Sequence, residues 1–174
     1  MLLAGSKWYA LFTKPYLEER VREKLEYSFS DGFRAFVPKR RLRERRNGKW
    51  ILVMKKLFPG YVLLNGDISD NDYHYIRSTP GLLAILQNGG LPLEIDQSEI
   101  YMIASLTGSG EIIGLSQVHM EGGIVTIVSG PLKNCEGIIQ KLDLRKGRAK
   151  VRLGFLGEER TVDLGLDVIQ PGIA

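Results

Sequence analysis

The chain is poor in residues that staple, ligate or anchor proteins. A single cysteine, Cys135, in 174 residues excludes an internal disulfide. One cysteine and two histidines are too few ligands for a structural zinc site, and no metal or cofactor is expected. No unbroken apolar run exceeds five residues, whereas a membrane helix needs roughly 18 or more. No membrane partner is therefore expected. Met1-Leu2-Leu3-Ala4-Gly5 lacks the basic start and apolar core of a secretory signal, so a reducing cytoplasm is the expected location. Catalytic patterns are also missing. There is no Walker-type phosphate loop and no Ser/His/Asp set. His74 sits between Tyr73 and Tyr75, and Glu94, Asp96 and Glu99 serve a helix start more simply than acid–base work. Cys135 follows Lys133-Asn134, a setting that can lower a thiol pKa, although a packing thiol is the simpler reading. A non-enzyme is expected. Twenty-four basic against twenty acidic residues leave a net charge of +4, which permits a nucleic-acid partner without demonstrating one.

The remaining pattern divides the chain. Trp8-Tyr9-Ala10-Leu11-Phe12-Thr13 reads as a strand stopped by Lys14-Pro15, and alternation places Trp8 and Tyr9 on opposite faces, one of them in the core. Leu17, Val21 and Leu25 recur every fourth residue among charged neighbours, as on an amphipathic helix. A basic ribbon follows, split by Asn47-Gly48, a strong hairpin signal because both residues tolerate positive φ. Leu57–Leu64 is a turn feeding a buried strand, and Asp70–Arg77 a short helix ended before Thr79-Pro80-Gly81. Asp96 is the expected N-cap of a helix reaching Thr107. Together these elements form an α+β layer, an antiparallel sheet covered by helices on one side, over residues 1–107.

Residues 108–122 are glycine-rich with little periodic pattern and read as a joint. Gly108-Ser109-Gly110 has the wrong spacing for a dinucleotide fingerprint. From 123 to 174 the helical period disappears. Short strands at Ile124–Val128, Gly137–Leu142, Ala149–Leu153 and Thr161–Leu164 point to a small barrel.

Two basic surfaces stand out. Lys39, Arg40, Arg41, Arg43, Arg45, Arg46 and Lys49 are opposed only by Glu44. This is either a solvated hairpin tip or a sequence-blind contact to phosphate or to an acidic protein surface. In Arg148–Leu153, Ala149, Val151 and Leu153 point inward while Arg148, Lys150 and Arg152 form an outer row, with Lys141, Arg145 and Lys146 just before it and Lys133 further upstream. That row calls for an anionic partner or for compensation by Glu158, Glu159 and Asp163. Self-compensation has force, because residues 121–174 hold eight basic and seven acidic side chains.

Lys56-Leu57-Phe58-Pro59-Gly60-Tyr61-Val62-Leu63 and Ile76-Arg77-Ser78-Thr79-Pro80-Gly81 resemble the N-terminal (NGN) domain of NusG transcription elongation factors. Gly123–Leu132, Gly137 and the strands of 150–164 resemble its KOW domain. The resemblance implies an NGN α/β sandwich tethered to an SH3-like KOW β-barrel, and a monomeric adaptor without catalysis. It implies that Trp8, Phe58, Pro59, Gly60, Tyr61, Arg77 and Pro80 bind the clamp of RNA polymerase, with Phe58 and Tyr61 as aromatic anchors on a rigid turn. The basic hairpin would reach upstream DNA. Ser78-Thr79 would lie at the tip near the non-template strand, although Ser78 stands where some relatives carry the Asn that reads bases. General NusG proteins have Phe near Leu132, Cys135 and Leu156 that helps hold Rho or a ribosomal protein. Their loss, with the basic strand, resembles the LoaP branch of antiterminators, which implies recognition of a nascent RNA hairpin by Lys133, Lys141, Arg145, Lys146, Arg148, Lys150 and Arg152. The alternatives are a general NusG whose barrel binds Rho or the ribosome, and a KOW-type ribosome-associated structural protein.

Overall fold

The computed structural model describes residues 5–29 and 32–169. In chain order it runs β1 (Trp8–Thr13), α1 (Glu18–Ser28), β2 (Arg34–Phe36), β3 (Lys39–Arg46), β4 (Lys49–Lys56), β5 (Tyr61–Asn65) and α2 (Asp70–Arg77). There follow β6 (Leu82–Ile85), β7 (Gln87–Asn88), β8 (Leu91–Pro92), α3 (Gln97–Thr107) and β9 (Ile112–Ile113). The last strands are β10 (Ser116–Glu121), β11 (Ile124–Ser129), β12 (Ile139–Asp143), β13 (Arg148–Phe155) and β14 (Glu158–Ile169). Among the described residues, one compact unit comprises 5–37 and 58–101, and the other 38–57 and 102–169.

The first unit is an antiparallel sheet in the order β2-β5-β1-β6. Leu11, Val62, Leu64 and Ile85 of the sheet pack with Val21 and Leu25 of α1 and Ile76 of α2. Fully burying an aliphatic side chain of this kind contributes about 1.5–3 kcal/mol, so the fourfold spacing in α1 is enough to seat the helix. Helix α2 starts at a capping box. Ser69 Oγ accepts from Asp72 N at 3.2 Å, and Asp72 accepts from Ser69 N at 2.9 Å. At α3, Asp96 accepts from Ser98 N at 2.8 Å, as its expected N-cap role requires. Trp8 and Tyr9 are both buried, contrary to the expectation that one strand face meets water. The Trp8 ring meets Phe36 edge-on at 6.2 Å, while Tyr9 bridges to Glu94 and Ile95 N donates to Trp8 O at 2.7 Å. A strand covered on both faces buries both parities.

The second unit joins the basic hairpin to the C-terminal strands. Asn47 (φ 49°) and Gly48 (φ 76°) close the β3–β4 hairpin as a two-residue turn, and β3 also pairs in parallel with β9. The five-stranded sheet has the order β11-β10-β14-β13-β12. Val118, Ile127, Leu132, Ala149, Val151, Leu153, Phe155, Leu164 and Leu166 are buried in this unit. Strand β10 occupies part of the glycine-rich stretch read as an unpatterned joint, pairing with β11 and, in parallel, with β14. Against this sheet sits the hairpin. Arg43 forms an ion pair with Asp167 at 2.8 Å, and Arg40 donates to the Asp163 carbonyl at 2.5 Å. Gly165 permits the approach, since a Cβ there would come within 2.4 Å of both the Arg41 carbonyl oxygen and Leu115 Cδ2.

Candidate functional site

Pro59 and Gly60 occupy the central positions of a turn in which Tyr61 N donates to Phe58 O at 3.2 Å. Gly60 has φ 87°, so proline before a left-handed glycine makes a type II turn. Two neighbours lock it. Glu18, 2% exposed at the start of α1, accepts from Gly60 N at 2.8 Å, and Thr13 N donates to Gly60 O at 2.8 Å. Beside the turn, the rings of Phe12 and Tyr61 lie 5.3 Å apart, brought together by the β1–β5 register.

The turn does not present both expected rings. Phe58 is 3% exposed and Trp8 equally buried, whereas Tyr61 is half-buried, Pro59 exposed and Phe12 38% exposed. Phe58 therefore supports the turn from the core instead of forming its outer face, and Trp8, paired with Asn65 at the far end of β1 and packed on Phe36, is core away from the turn. Phe12 and Glu18 had no role in the sequence reading. Phe12 is detectable only through its cross-strand pairing with Tyr61, and Glu18 looked like one more charge on a helix.

Arg77 is exposed at the end of α2. Ser78, Thr79 and Pro80 line a groove with Glu23, Lys24, Tyr27 and Ser28 of α1 and Tyr75 of α2. Ser78 Oγ donates to Tyr75 O at 2.7 Å, a capping role, and Tyr27 stands almost wholly in solvent.

On the hairpin, cross-strand register puts Arg41 opposite Met54, Arg43 opposite Leu52 and Arg45 opposite Trp50. Trp50, Leu52 and Met54 are exposed, so cations and apolar side chains share this face, a mixture the charge run had obscured. Arg43 pairs with Asp167, and further hairpin cations are engaged. Lys39 pairs with Glu111 at 3.4 Å, Arg46 with Glu44 at 3.2 Å, and Lys55 with Glu44. The hydrogen bonds from Lys55 and Arg46 hold the Glu44 carboxyl below its ordinary pKa. Burial lowers the Arg40 guanidinium from its ordinary value, with Asp163 opposing the shift and Arg148 reinforcing it.

On the barrel strand β13, Ala149, Val151 and Leu153 are buried while Lys150 and Arg152 are exposed. Compensation reaches Arg152, which pairs with Glu159 at 3.4 Å. Lys150 stands between Lys141 and Asp163 across the sheet, and Arg148 between Asp143 and Gly165. Among the described residues, no ion pair engages Lys141, Lys146 or Lys150. Lys133 donates to Ile127 O at 3.0 Å, and Arg145 is exposed in the turn before β13. Leu132 is wholly buried, whereas Leu156 sits in the β13–β14 turn with φ 57°. Burial raises the Cys135 thiol, and Glu136 adds to the shift, so the sensitising influence of Lys133 does not prevail. No helix among the described residues is long and apolar enough to cross a membrane, and none of their side chains form a group of three or more metal-ligating residues.

Residues 6–104 match the family model described as "Transcription termination factor nusG". The chain belongs to the NusG family. The similarity extends beyond the matched segment. The transcription termination/antitermination protein NusG of Thermus thermophilus is 30% identical, with 91% of this chain and 94% of that protein covered. Its Bacillus subtilis counterpart is 29% identical over 90% of this chain and 93% of that protein. A solved chain from work on domain interaction in Thermotoga maritima NusG has a TM-score of 0.60 and 28% identity, covering 92% of this chain and 93% of that one. The N-terminal α/β layer and the C-terminal barrel accordingly correspond to NGN and KOW domains, and the chain's place is in transcription termination and antitermination.

Proposed function

We propose that the chain is an elongation and antitermination factor that docks on the clamp of RNA polymerase through its NGN turn and is recruited by a nascent RNA hairpin through its KOW barrel. The observation that carries the docking half is the locked turn. Pro59 and Tyr61, joined by Phe12, present an aromatic edge whose backbone is held by Glu18 and Thr13. Rigid aromatic anchors lose little conformational entropy on binding and are typical hot spots. Phe58 and Gly60 keep the anchor in place, Trp8 holds the far end of β1 in the core, and Arg77 and Pro80 lie at the flank.

In this reading the chain performs no catalytic step, and its effect comes from bridging polymerase and nucleic acid. Residues 1–107 carry the polymerase-binding part and 123–174 the RNA-reading part, while the 108–122 stretch expected as a joint contributes β10 to the barrel sheet. Arg41, Arg43, Arg45 and their hairpin neighbours meet phosphates of upstream DNA without reading sequence, and Ser78-Thr79 faces the non-template strand. The RNA half rests on Lys141, Lys146 and Lys150, which no ion pair engages among the described residues. A-form RNA is recognised by backbone shape and exposed loop bases, to which lysines and arginines on a twisted sheet are suited.

The test is binding of the full chain to core RNA polymerase, with and without the paired substitution Phe12→Ala and Tyr61→Ala. Loss of two anchors should weaken binding by about 2–4 kcal/mol or more. Unchanged affinity in the folded double variant would remove the turn from the interface. A barrel that captured Rho or a ribosomal protein and ignored structured RNA would turn the reading to a general NusG.

A further inference from the structure

The outer face of the barrel holds a recess of about 170 Å³ lined by Lys141, Asp143, Lys146, Arg148, Lys150 and Asp163. Four cations face two carboxylates, an excess of positive charge in a small space. The β12–turn–β13 hairpin and β14 build it: β12 and β14 supply Lys141 and Asp163 on either side of Lys150, and the tight turn after Asp143 supplies Lys146, whose backbone N–H donates to Asp143 Oδ1 at 3.0 Å. One of the two acidic members is already engaged. Asp143 holds that turn, while Asp163 remains the one carboxylate facing Lys150 across β14.

The guanidinium groups are less well served. Arg148 Nη1 is buried with no hydrogen-bond partner, and Arg40 Nε, from the hairpin beside it, is buried and unpartnered as well. A buried donor without an acceptor is costly, more so on a charged group. Like charges directly opposite each other on a sheet, as Lys141 and Lys150 are, add repulsion. A compact oxyanion answers both defects at once, because it accepts from several donors and offsets the excess charge.

We infer that this recess is a seat for one phosphate group of a nucleic-acid backbone, with Arg148 as its floor, Lys141, Lys146 and Lys150 as its walls, and the charge of Arg40 on the hairpin adding to the positive field behind the floor. The identity of the ligand as an RNA phosphodiester rests on the reading of the barrel as an RNA-binding face. The oxyanion chemistry does not. In this arrangement one phosphate fixes the register of the RNA on β13, while Arg145 and Lys133 make contacts outside the seat.

Two probes test the seat on the full chain. In the first, a labelled RNA stem-loop carries one methylphosphonate linkage, a neutral replacement, moved position by position. At one linkage the replacement should weaken binding to the natural chain about tenfold, as expected for a lost charged hydrogen bond, and should leave binding to Arg148→Gln unchanged. Arg148→Gln and Lys141→Gln should each flatten the dependence of log affinity on log salt by about 0.7–0.9. Lys141 is exposed, so Lys141→Gln decides the matter if Arg148→Gln does not fold. In the second, inorganic phosphate should raise the thermal midpoint of the natural chain more than that of either variant. RNA binding with identical interference patterns and salt slopes in all three proteins would overturn the seat and leave the RNA reading standing. A phosphate effect that depends on Arg148 in a chain that ignores RNA would keep the seat and remove the RNA reading. Indifference to both probes would overturn both.

Discussion

In the turn at Phe58–Tyr61 the amides of Gly60 and Tyr61 and the carbonyls of Phe58 and Gly60 find partners in the fold, and the carboxylate of Glu18 is buried to satisfy Gly60. On the outer face of the barrel, by contrast, Lys141 opposes Lys150 and a guanidinium nitrogen of Arg148 has no acceptor. The first region is finished before any partner arrives, and what it offers is shape. In the second, charge is left over and its energy is recovered only on binding. Substitutions should therefore have opposite signs in the two places: loss of stability in the turn, and a small gain on the barrel face at the expense of binding.

The comparison breaks most readily at Glu18. Glu18→Ala should lower the unfolding free energy by about 1.5–3 kcal/mol, because a buried hydrogen bond to a charged group is lost. Glu18→Gln, which keeps an acceptor oxygen, should recover part of that loss, and chemical denaturation measures both. If Glu18→Ala is as stable as the natural chain, the turn is not held from α1. Next in size is Leu156→Asn. Leu156 and Gly157 (φ 77°) both lie in the left-handed region of a two-residue hairpin turn, where Asn-Gly is favoured. Relief of the leucine strain should raise stability by about 1 kcal/mol, seen as a higher thermal midpoint.

A smaller effect sharpens the contrast directly. Lys141→Gln, on a strand whose paired neighbour at that position is Lys150, should stabilise the free protein by about 0.2–1 kcal/mol while weakening its hold on RNA. A destabilised Lys141→Gln would mean that the charges on this face are already balanced. The smallest effect belongs to the cap of α2. Hydrogen bonds from Ser69 hold the Asp72 carboxyl below its ordinary pKa. A depressed folded value means that the contribution is fully present above the ordinary carboxylate range and is lost as pH falls through the depressed value. Melting curves of the natural chain and Asp72→Asn should differ near neutral pH and converge in acid.

Local chemistry made much of the fold legible. Asn47-Gly48 fixed the hairpin, Pro59-Gly60 the type II turn, and the fourfold spacing of Val21 and Leu25 the buried face of α1. Strand β10 is hidden because it follows a glycine-rich run and, of its inward residues Ser116 and Val118, only Val118 is apolar. The burial of Trp8 and Phe58 was hidden for a different reason. An aromatic residue reads alike whether it fills a core or presents an edge, and only tertiary packing decides. Likewise, the meeting of Arg40 with Arg148 depends on pieces more than one hundred residues apart, which no local pattern encodes.

The most direct measurement is single-round transcription by purified polymerase through a terminator, on templates with and without a leader sequence that folds into a hairpin. The natural chain should lengthen transcripts when the leader hairpin is present and far less when it is absent. The pair Phe12→Ala and Tyr61→Ala, and separately Lys141→Gln, should each reduce that gain. Equal read-through on both templates, or a full gain from the chain without its two exposed rings, would contradict the account.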